Sequence, residues 1–263
     1  MLLDTKAEIV GRESWGDYFL LTIRSPSIAE KAVPGQFIMI RTASGPYPLL
    51  RRPFSIHDRK KDTIDIYFQI AGEGTALLAA KKQGDECDII GPLGNGFLLD
   101  TLAEGKTVAA VGGGRGIAPL FFLGNELQKL GFPLTVYYGG LTSGDLPLEK
   151  KFRDKGIPVH CSTDDGSTGF HGLVTDLFLS FLPSSRPDHL FVCGPDPMMK
   201  ALSRICLEER ISAQFSLESI MGCGFGACWG CVHKIKTQGE AEWTKICQEG
   251  PVFFTEDIIW NND

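Results

Sequence analysis

Residues 107–131 read TVAAVGGGRGIAPLFFLGNELQKLG, an order that few architectures accept. The wholly apolar run 108–111 suits a strand covered on both faces, the usual condition in a parallel sheet. Glycines follow, and then Leu120, Leu123, Leu127 and Leu130 recur at helical spacing, with Gly131 placed to close the helix. Further strand candidates at 135–138, 158–161 and 190–192 alternate with helical segments at 173–181 and 198–209. Strand and helix in alternation predict a doubly wound α/β unit built on a parallel sheet.

Ahead of this unit the rhythm differs. Short strand-like runs at 8–10, 18–23, 36–41 and 64–70 are punctuated by turn signals at Pro34-Gly35, Gly45-Pro46 and Gly91-Pro92. Within 64–70, Ile64, Ile66, Phe68 and Ile70 share one face, and Asp65, Tyr67 and Gln69 the other. Many short strands with one helix inserted at 72–82 predict a small antiparallel β-barrel. The chain therefore divides into a β-barrel over 1–101, an α/β domain over 102–217 and a glycine- and cysteine-rich region over 218–263.

A net charge of −6 argues against nucleic-acid binding through a broad basic surface. No apolar run reaches membrane-spanning length, since 107–124 is broken by Gly112, Gly113, Gly114 and Arg115. MLLDTKAEIV has no basic start followed by an apolar block, so no signal peptide is expected. These features place the eight cysteines in a reducing cytoplasm, where clustered thiols hold metal more often than they form disulfides.

The cysteine-rich stretch is MGCGFGACWGC, residues 221–231. Cys223, Cys228 and Cys231 follow C-x4-C-x2-C, with Cys247 farther along. Structural zinc sites bring ligands as two close pairs, whereas three ligands in one loop and a distant fourth match the plant-type [2Fe–2S] arrangement. Gly222, Gly224, Gly226 and Gly230 let backbone N–H groups approach cluster sulfides. A zinc-stabilised interaction module without redox work is the alternative. Trp229 reads as a solvent shield, and His233 as an ordinary histidine rather than a ligand.

Three other stretches can hold ligands. GGGRGIAP (112–119) joins strand to helix through a glycine turn suited to a pyrophosphate, though it lacks the G-x-G-x-x-G fingerprint. A tight α/β turn needing only glycine is the plainer account, and Arg115 is equally a phosphate contact or a surface arginine. RRPFSI (51–56) offers arginine, a flat ring and a hydroxyl, which suits a flavin but also a surface arginine pair beside a core phenylalanine. VCGPDPMM (192–199) ends a strand where ligands collect in open parallel sheets, although Cys193 can equally be a small buried hydrophobe.

In the order RRPFS, GGGRGIAP, CGPDPMM, the chain resembles the ferredoxin–NADP reductase superfamily over nearly its whole length. With MGCGFGACWGC and CQEGPVF, it is similar to one branch, the electron-transfer subunits of NAD-dependent (type B) dihydroorotate dehydrogenases. That resemblance implies an FAD-binding barrel, an NAD-binding α/β domain and a small C-terminal [2Fe–2S] domain. It implies FAD contacts at Arg52, Pro53, Phe54, Ser55, Gln69, Ile70, Gly74 and Thr75. It places a nicotinamide pocket at Gly113, Gly114 and Gly116, with Cys193, Gly194 and Pro195 facing it and Asp164 in the DDGS loop. It makes Cys223, Cys228, Cys231 and Cys247 the cluster ligands. No general acid or base is assigned, and Cys193 is expected as a pocket wall.

The implied partner is an FMN-containing catalytic subunit that oxidises dihydroorotate, in a heterotetramer of two subunits of each kind. The electron route would run from that subunit through [2Fe–2S] and FAD to NAD⁺. A related reductase subunit serving a hydrogenase or sulfite reductase would show similar parts. Two positions depart from the family pattern. Arg115 stands where a small or aliphatic residue is usual, and Ser219-Ile220-Met221 stands where an arginine commonly precedes the methionine.

Overall fold

The computed structural model describes residues 1–43, 45 and 47–260. Six strands close an antiparallel barrel: β1 (Leu2–Trp15), β2 (Tyr18–Arg24), β3 (Phe37–Arg41), β4 (Arg52–Arg59), β5 (Thr63–Gln69) and β6 (Glu86–Leu93), in the order β1-β2-β5-β4-β3-β6. Helices α1 (Pro26–Lys31) and α2 (Glu73–Ala79) fill connections between strands. Ile9, Leu21, Ile23, Ile38, Ile56, Ile64, Ile66 and Ile89 meet in the barrel core, none measurably exposed. Burying each aliphatic side chain is worth about 1.5–3 kcal/mol, which fixes the inward face of every strand.

The alternation expected in β5 is present, but its second face is not solvated. Asp65 and Tyr67 are buried too, because the α/β unit packs against that side of the barrel. The expected Gly91-Pro92 turn is a correction: both residues lie inside β6, where Gly91 pairs with Leu2. The β3–β6 register shifts between Phe37 and Met39, opposite this dipeptide, and such an irregularity accommodates a proline that has no N–H to donate. Of the Gly45-Pro46 turn, Pro46 lies outside the described residues.

The second unit is a seven-stranded sheet ordered β10-β9-β8-β7-β11-β12-β15. Its strands are β7 (Val108–Gly113), β8 (Leu134–Gly140), β9 (Val159–Thr163), β10 (Phe170–His171), β11 (His189–Cys193), β12 (Ser212–Ser216) and β15 (Val252–Phe254). All neighbours are parallel except β12 and β15. Helices α3 (Ala118–Lys129), α4 (Glu149–Asp154), α5 (Val174–Phe181) and α6 (Asp196–Glu209) supply the crossovers. The winding reverses between β7 and β11, so their carboxyl ends border the crevice where open α/β sheets bind ligands.

The last region holds the cysteine loop, a hairpin of β13 (Val232–Thr237) and β14 (Glu240–Lys245), and helix α7 (Ile246–Glu249). It then returns through β15 to the edge of the larger sheet. Cys231, Ile235, Ile246 and Cys247 share one apolar cluster with Met39 and Leu93 of the barrel and Phe215 of the sheet.

Specific contacts lock barrel to sheet. The buried His57 Nδ1–H donates to the Ala118 carbonyl over 2.8 Å, and the His57 ring stacks on Phe121 at 4.7 Å. Asn125 Nδ2 donates to Asp58 Oδ1 over 2.9 Å. Burial, opposed by the Ala118 hydrogen bond, pushes His57 down to about 4, so the imidazole is neutral.

Candidate functional site

Two cavities meet between barrel and sheet. The larger, about 580 Å³, opens at the carboxyl ends of β7, β8 and β11. Gly113, Gly114, Gly116, Gly194, Pro195 and Asp164 all line it, whereas Cys193, expected beside Gly194 and Pro195, lines the smaller cavity instead. Gly112 pairs with Cys193 across the winding reversal. Gly116 is required by packing: a Cβ there would stand 2.3 Å from the Cys193 carbonyl oxygen, and backbone cannot yield that space.

The smaller cavity, about 240 Å³, lies against the barrel. Arg52, Pro53, Phe54, Ser55, Gln69 and Thr75 line it, facing Cys193 and Leu217 from the sheet side. Aromatic and aliphatic walls with an arginine at one end suit a flat heteroaromatic ring carrying a phosphate tail. The Arg52 guanidinium lies over Gly74, where a Cβ would approach Nε to 2.9 Å, so Gly74 acts by leaving room. Ile70 does not line either cavity; it packs on the barrel core. The Thr75 hydroxyl is spent locally, accepting from the N–H groups of Ala71 (2.8 Å) and Gly72 (3.1 Å) at the start of α2.

Cys193 is 1% exposed, and burial raises its thiol well above the ordinary value. A neutral, enclosed thiol is a wall rather than a nucleophile.

Gln69, Arg115 and Glu218 line both cavities and mark their junction. Glu218 carries no motif in FSLES, and sequence reasoning passed over it. Its side chain is open to the cavities, yet surrounding protein raises its carboxyl above the usual range, with Arg115 opposing and Asp196 adding to the rise. Tyr18 and Asp145, also unforeseen, line the larger cavity. The Tyr18 hydroxyl donates to Asp145 Oδ1 over 2.6 Å across 127 residues of sequence, a juxtaposition with no local signature.

The cysteine loop adjoins the smaller cavity through Met221, which lines it two residues before Cys223. All four sulfurs accept a backbone N–H: Cys223 from Ala227 (3.3 Å), Cys228 from Gly230 (3.4 Å), Cys231 from Cys247 (3.4 Å) and Cys247 from Gly226 (3.1 Å). Against a desolvation penalty, backbone N–H groups and the Cys228 side chain bring Cys223 down to about 6. Burial first, then the neighbouring Cys231, push Cys247 up to about 12, a cost that a bound cation relieves.

The thiols neighbour one another in two pairs, Cys223 with Cys228 and Cys231 with Cys247. A binuclear rhomb takes two thiolates per iron, whereas structural zinc takes four around one point. The paired donor set therefore fits a [2Fe–2S] cluster. Gly224, at φ +83°, lets the loop rest on the barrel: a Cβ there would lie 2.4 Å from Met39 Cγ, and Met39 pairs with Pro53 in the β3–β4 ladder. His233 stands apart, its Nδ1–H donating to the Lys234 carbonyl. Trp229 is 57% exposed, with Lys245 Nζ 4.6 Å from its ring centroid.

Residues 218–259 match the iron-sulfur cluster binding domain of dihydroorotate dehydrogenase B. A dihydroorotate dehydrogenase B (NAD(+)) electron transfer subunit from Desulforamulus reducens is 39% identical over 244 residues, covering 92% of each chain. The Bacillus caldolyticus subunit of the same name is 39% identical over 241 residues, covering 91% of each. Among solved structures, that of an NADH-dependent reduced ferredoxin-NADP oxidoreductase aligns with TM-score 0.85 at 30% identity, over 98% of this chain and 91% of that one. A ferredoxin NADP⁺ reductase from Neisseria gonorrhoeae aligns with TM-score 0.67 at 18% identity, over 78% and 90%, and shares the fold.

Proposed function

The chain belongs to the electron-transfer subunits of NAD-dependent dihydroorotate dehydrogenase B, and on that premise we propose how it works. It passes electrons from an FMN-containing, dihydroorotate-oxidising catalytic subunit through a [2Fe–2S] cluster and FAD to NAD⁺, in pyrimidine biosynthesis. The cluster supplies one-electron transfer, and the flavin converts between single electrons and the hydride that nicotinamide takes.

Cys223, Cys228, Cys231 and Cys247 hold the cluster, with N–H groups directed at their sulfurs. Arg52, Pro53, Phe54, Ser55, Gln69 and Thr75 hold FAD, and Ile70 and Gly74 shape the barrel side of that site. Gly113, Gly114, Gly116, Gly194, Pro195 and Asp164 bound the nicotinamide dinucleotide. Cys193 excludes water from the wall between the two. Glu218 stands with Gln69 and Arg115 where the two cavities join. The assembly is a heterotetramer of two catalytic and two electron-transfer subunits, working in the cytoplasm.

The observation that carries this assignment is continuity. Met221 links the cluster loop to the smaller cavity, and Gln69, Arg115 and Glu218 link the smaller cavity to the larger. The likeness to NADH-dependent ferredoxin-NADP oxidoreductase supports a second reading, a similar reductase subunit serving a different catalytic chain. Anaerobic pull-down from source cells, with metal, sulfide and flavin analysis, separates them. Recovery with a dihydroorotate-oxidising FMN subunit is expected. Recovery only with another oxidoreductase overturns the dihydroorotate assignment, and a colourless protein with stoichiometric zinc overturns the redox function altogether.

A further inference from the structure

The larger cavity is acidic, which sits awkwardly with its proposed occupant. Asp145, Asp164 and Glu218 line it, and among the described lining residues Arg115 carries the only positive side chain. A nicotinamide dinucleotide brings two further negative charges in its pyrophosphate. The glycine turn offers neutral N–H groups and no full positive charge of its own. Residues Gly114–Ile117 form a short 3₁₀ turn, the Ala118 N–H is used by the Arg115 carbonyl, and Pro119 has no N–H. The usual anion-binding capacity of a strand-to-helix turn, several free N–H groups at a helix start, is reduced here.

Building on the proposed function, we infer that Arg115 is the pyrophosphate-binding side chain of this cavity, a charged fork added to the N–H donors of the turn. The guanidinium is positioned for it. Arg115 directly follows Gly113 and Gly114 on the cavity wall, and its side chain is exposed to the cavity. Its electrostatic reach is visible in three directions, where it favours the ionised forms of Tyr18, Tyr67 and Glu218. Yet among the described residues no acceptor takes a hydrogen bond from it, so its donors stay available in a fork that matches two phosphate oxygens.

The acids around it have other tasks. Asp145 accepts from the Tyr18 hydroxyl (2.6 Å) and from the Thr142 N–H (2.9 Å), so it is part of the wall. Glu218 faces Arg115 across the junction with the smaller cavity without hydrogen-bonding to it. That leaves the guanidinium free for ligand. The flavin's own phosphates are served separately by Arg52 over Gly74, which leaves Arg115 to the second dinucleotide.

The test uses the FAD- and cluster-loaded protein and ADP-ribose, which carries the pyrophosphate but cannot reduce flavin. Affinities of wild type, Arg115→Gln and Arg115→Lys are measured by isothermal titration at low and high salt, beside anaerobic bleaching of the flavin by NADH. Loss of roughly ten- to a hundredfold in ADP-ribose affinity is expected for Arg115→Gln, the size of a charge-assisted bidentate contact. The salt dependence seen in wild type should flatten in that variant, and Arg115→Lys should retain part of both. Wild type that is bleached by NADH, paired with an Arg115→Gln variant that binds ADP-ribose within about twofold of it, overturns the Arg115 assignment alone. Loss of the flavin spectrum in both variants assigns Arg115 to the flavin and also overturns it. Wild type that neither binds ADP-ribose nor bleaches with NADH overturns the proposed function itself.

Discussion

Replacing Gly224 by alanine examines whether the contact with Met39 is what holds the cluster loop on the barrel. Gly224 lies at φ +83°, and an added Cβ would stand 2.4 Å from Met39 Cγ and 2.7 Å from its Sδ. Carbon atoms in contact sit about 3.5 Å apart, so loop and strand must separate by about 1 Å. Alanine in the left-handed region costs about 1–2 kcal/mol. Crowding the fully buried Met39 adds about 1–3 kcal/mol. The combined loss, about 2–5 kcal/mol, is measured by urea denaturation of the cofactor-loaded protein.

Because Met39 pairs with Pro53, the same separation draws the cysteines away from the flavin wall. Stopped-flow should show normal NADH reduction of FAD and slowed passage from FAD to the cluster. Met39→Ala removes the obstacle, so in that background Gly224→Ala should cost only its conformational share, about 1–2 kcal/mol. The coupling energy of the cycle is then about 1–3 kcal/mol. Additivity of the two substitutions within about 0.5 kcal/mol would refute the contact as the anchor.

Cys228 is the exposed member of the four cysteines, so Cys228→Ser should lose the cluster's absorbance while keeping the flavin spectrum, and NADH should still bleach the FAD. Partner-linked turnover that survives cluster loss contradicts the electron route. Acidification acts through His57, whose ordinary value of 6.5 falls to about 4 in the fold because of burial. In that window the unfolded chain binds a proton that the folded one does not, so stability declines as pH drops below about 6.5. About 2 kcal/mol should vanish between pH 7 and pH 5 from this residue. His57→Asn, which can still donate to the Ala118 carbonyl, should lack that share; equal acid sensitivity in both proteins rules it out.

Much of the fold was legible because it is written locally. Alternating Ile64, Ile66 and Phe68 determine which face of β5 enters the barrel, and the apolar run beginning at Val108 can only be a strand covered on both sides. The four cysteines stand out by a ligand spacing that is itself local, and Cys223 and Cys228 take their N–H groups from within four residues, whereas Cys231 and Cys247 take theirs across 16 and 21 residues. Pairing across the sheet was a different matter. Val252–Phe254 is too short to announce a strand, and it forms one only because β12 offers it an open edge at Ser216, Phe215 and Gln214.

The junction between the cavities was the least legible part, and the reason is geometric. Gln69, Arg115 and Glu218 come from a barrel strand, a turn after β7 and the segment after β12, so no window of sequence contains two of them. Glu218 follows an apolar strand as dozens of surface glutamates do, and only the protein packed around it lifts its pKa. Arg115 departs from the family pattern in its turn, but the sign of its effect depends on what surrounds it. In a basic cavity an additional arginine would be redundant for a dinucleotide; among the described lining residues, which include Asp145, Asp164 and Glu218, it is the one positive side chain that can offset the ligand's charge. A substitution that reads as a liability in the turn motif is thereby explained by residues at least 30 positions away in sequence, brought to it by the docking of barrel against sheet.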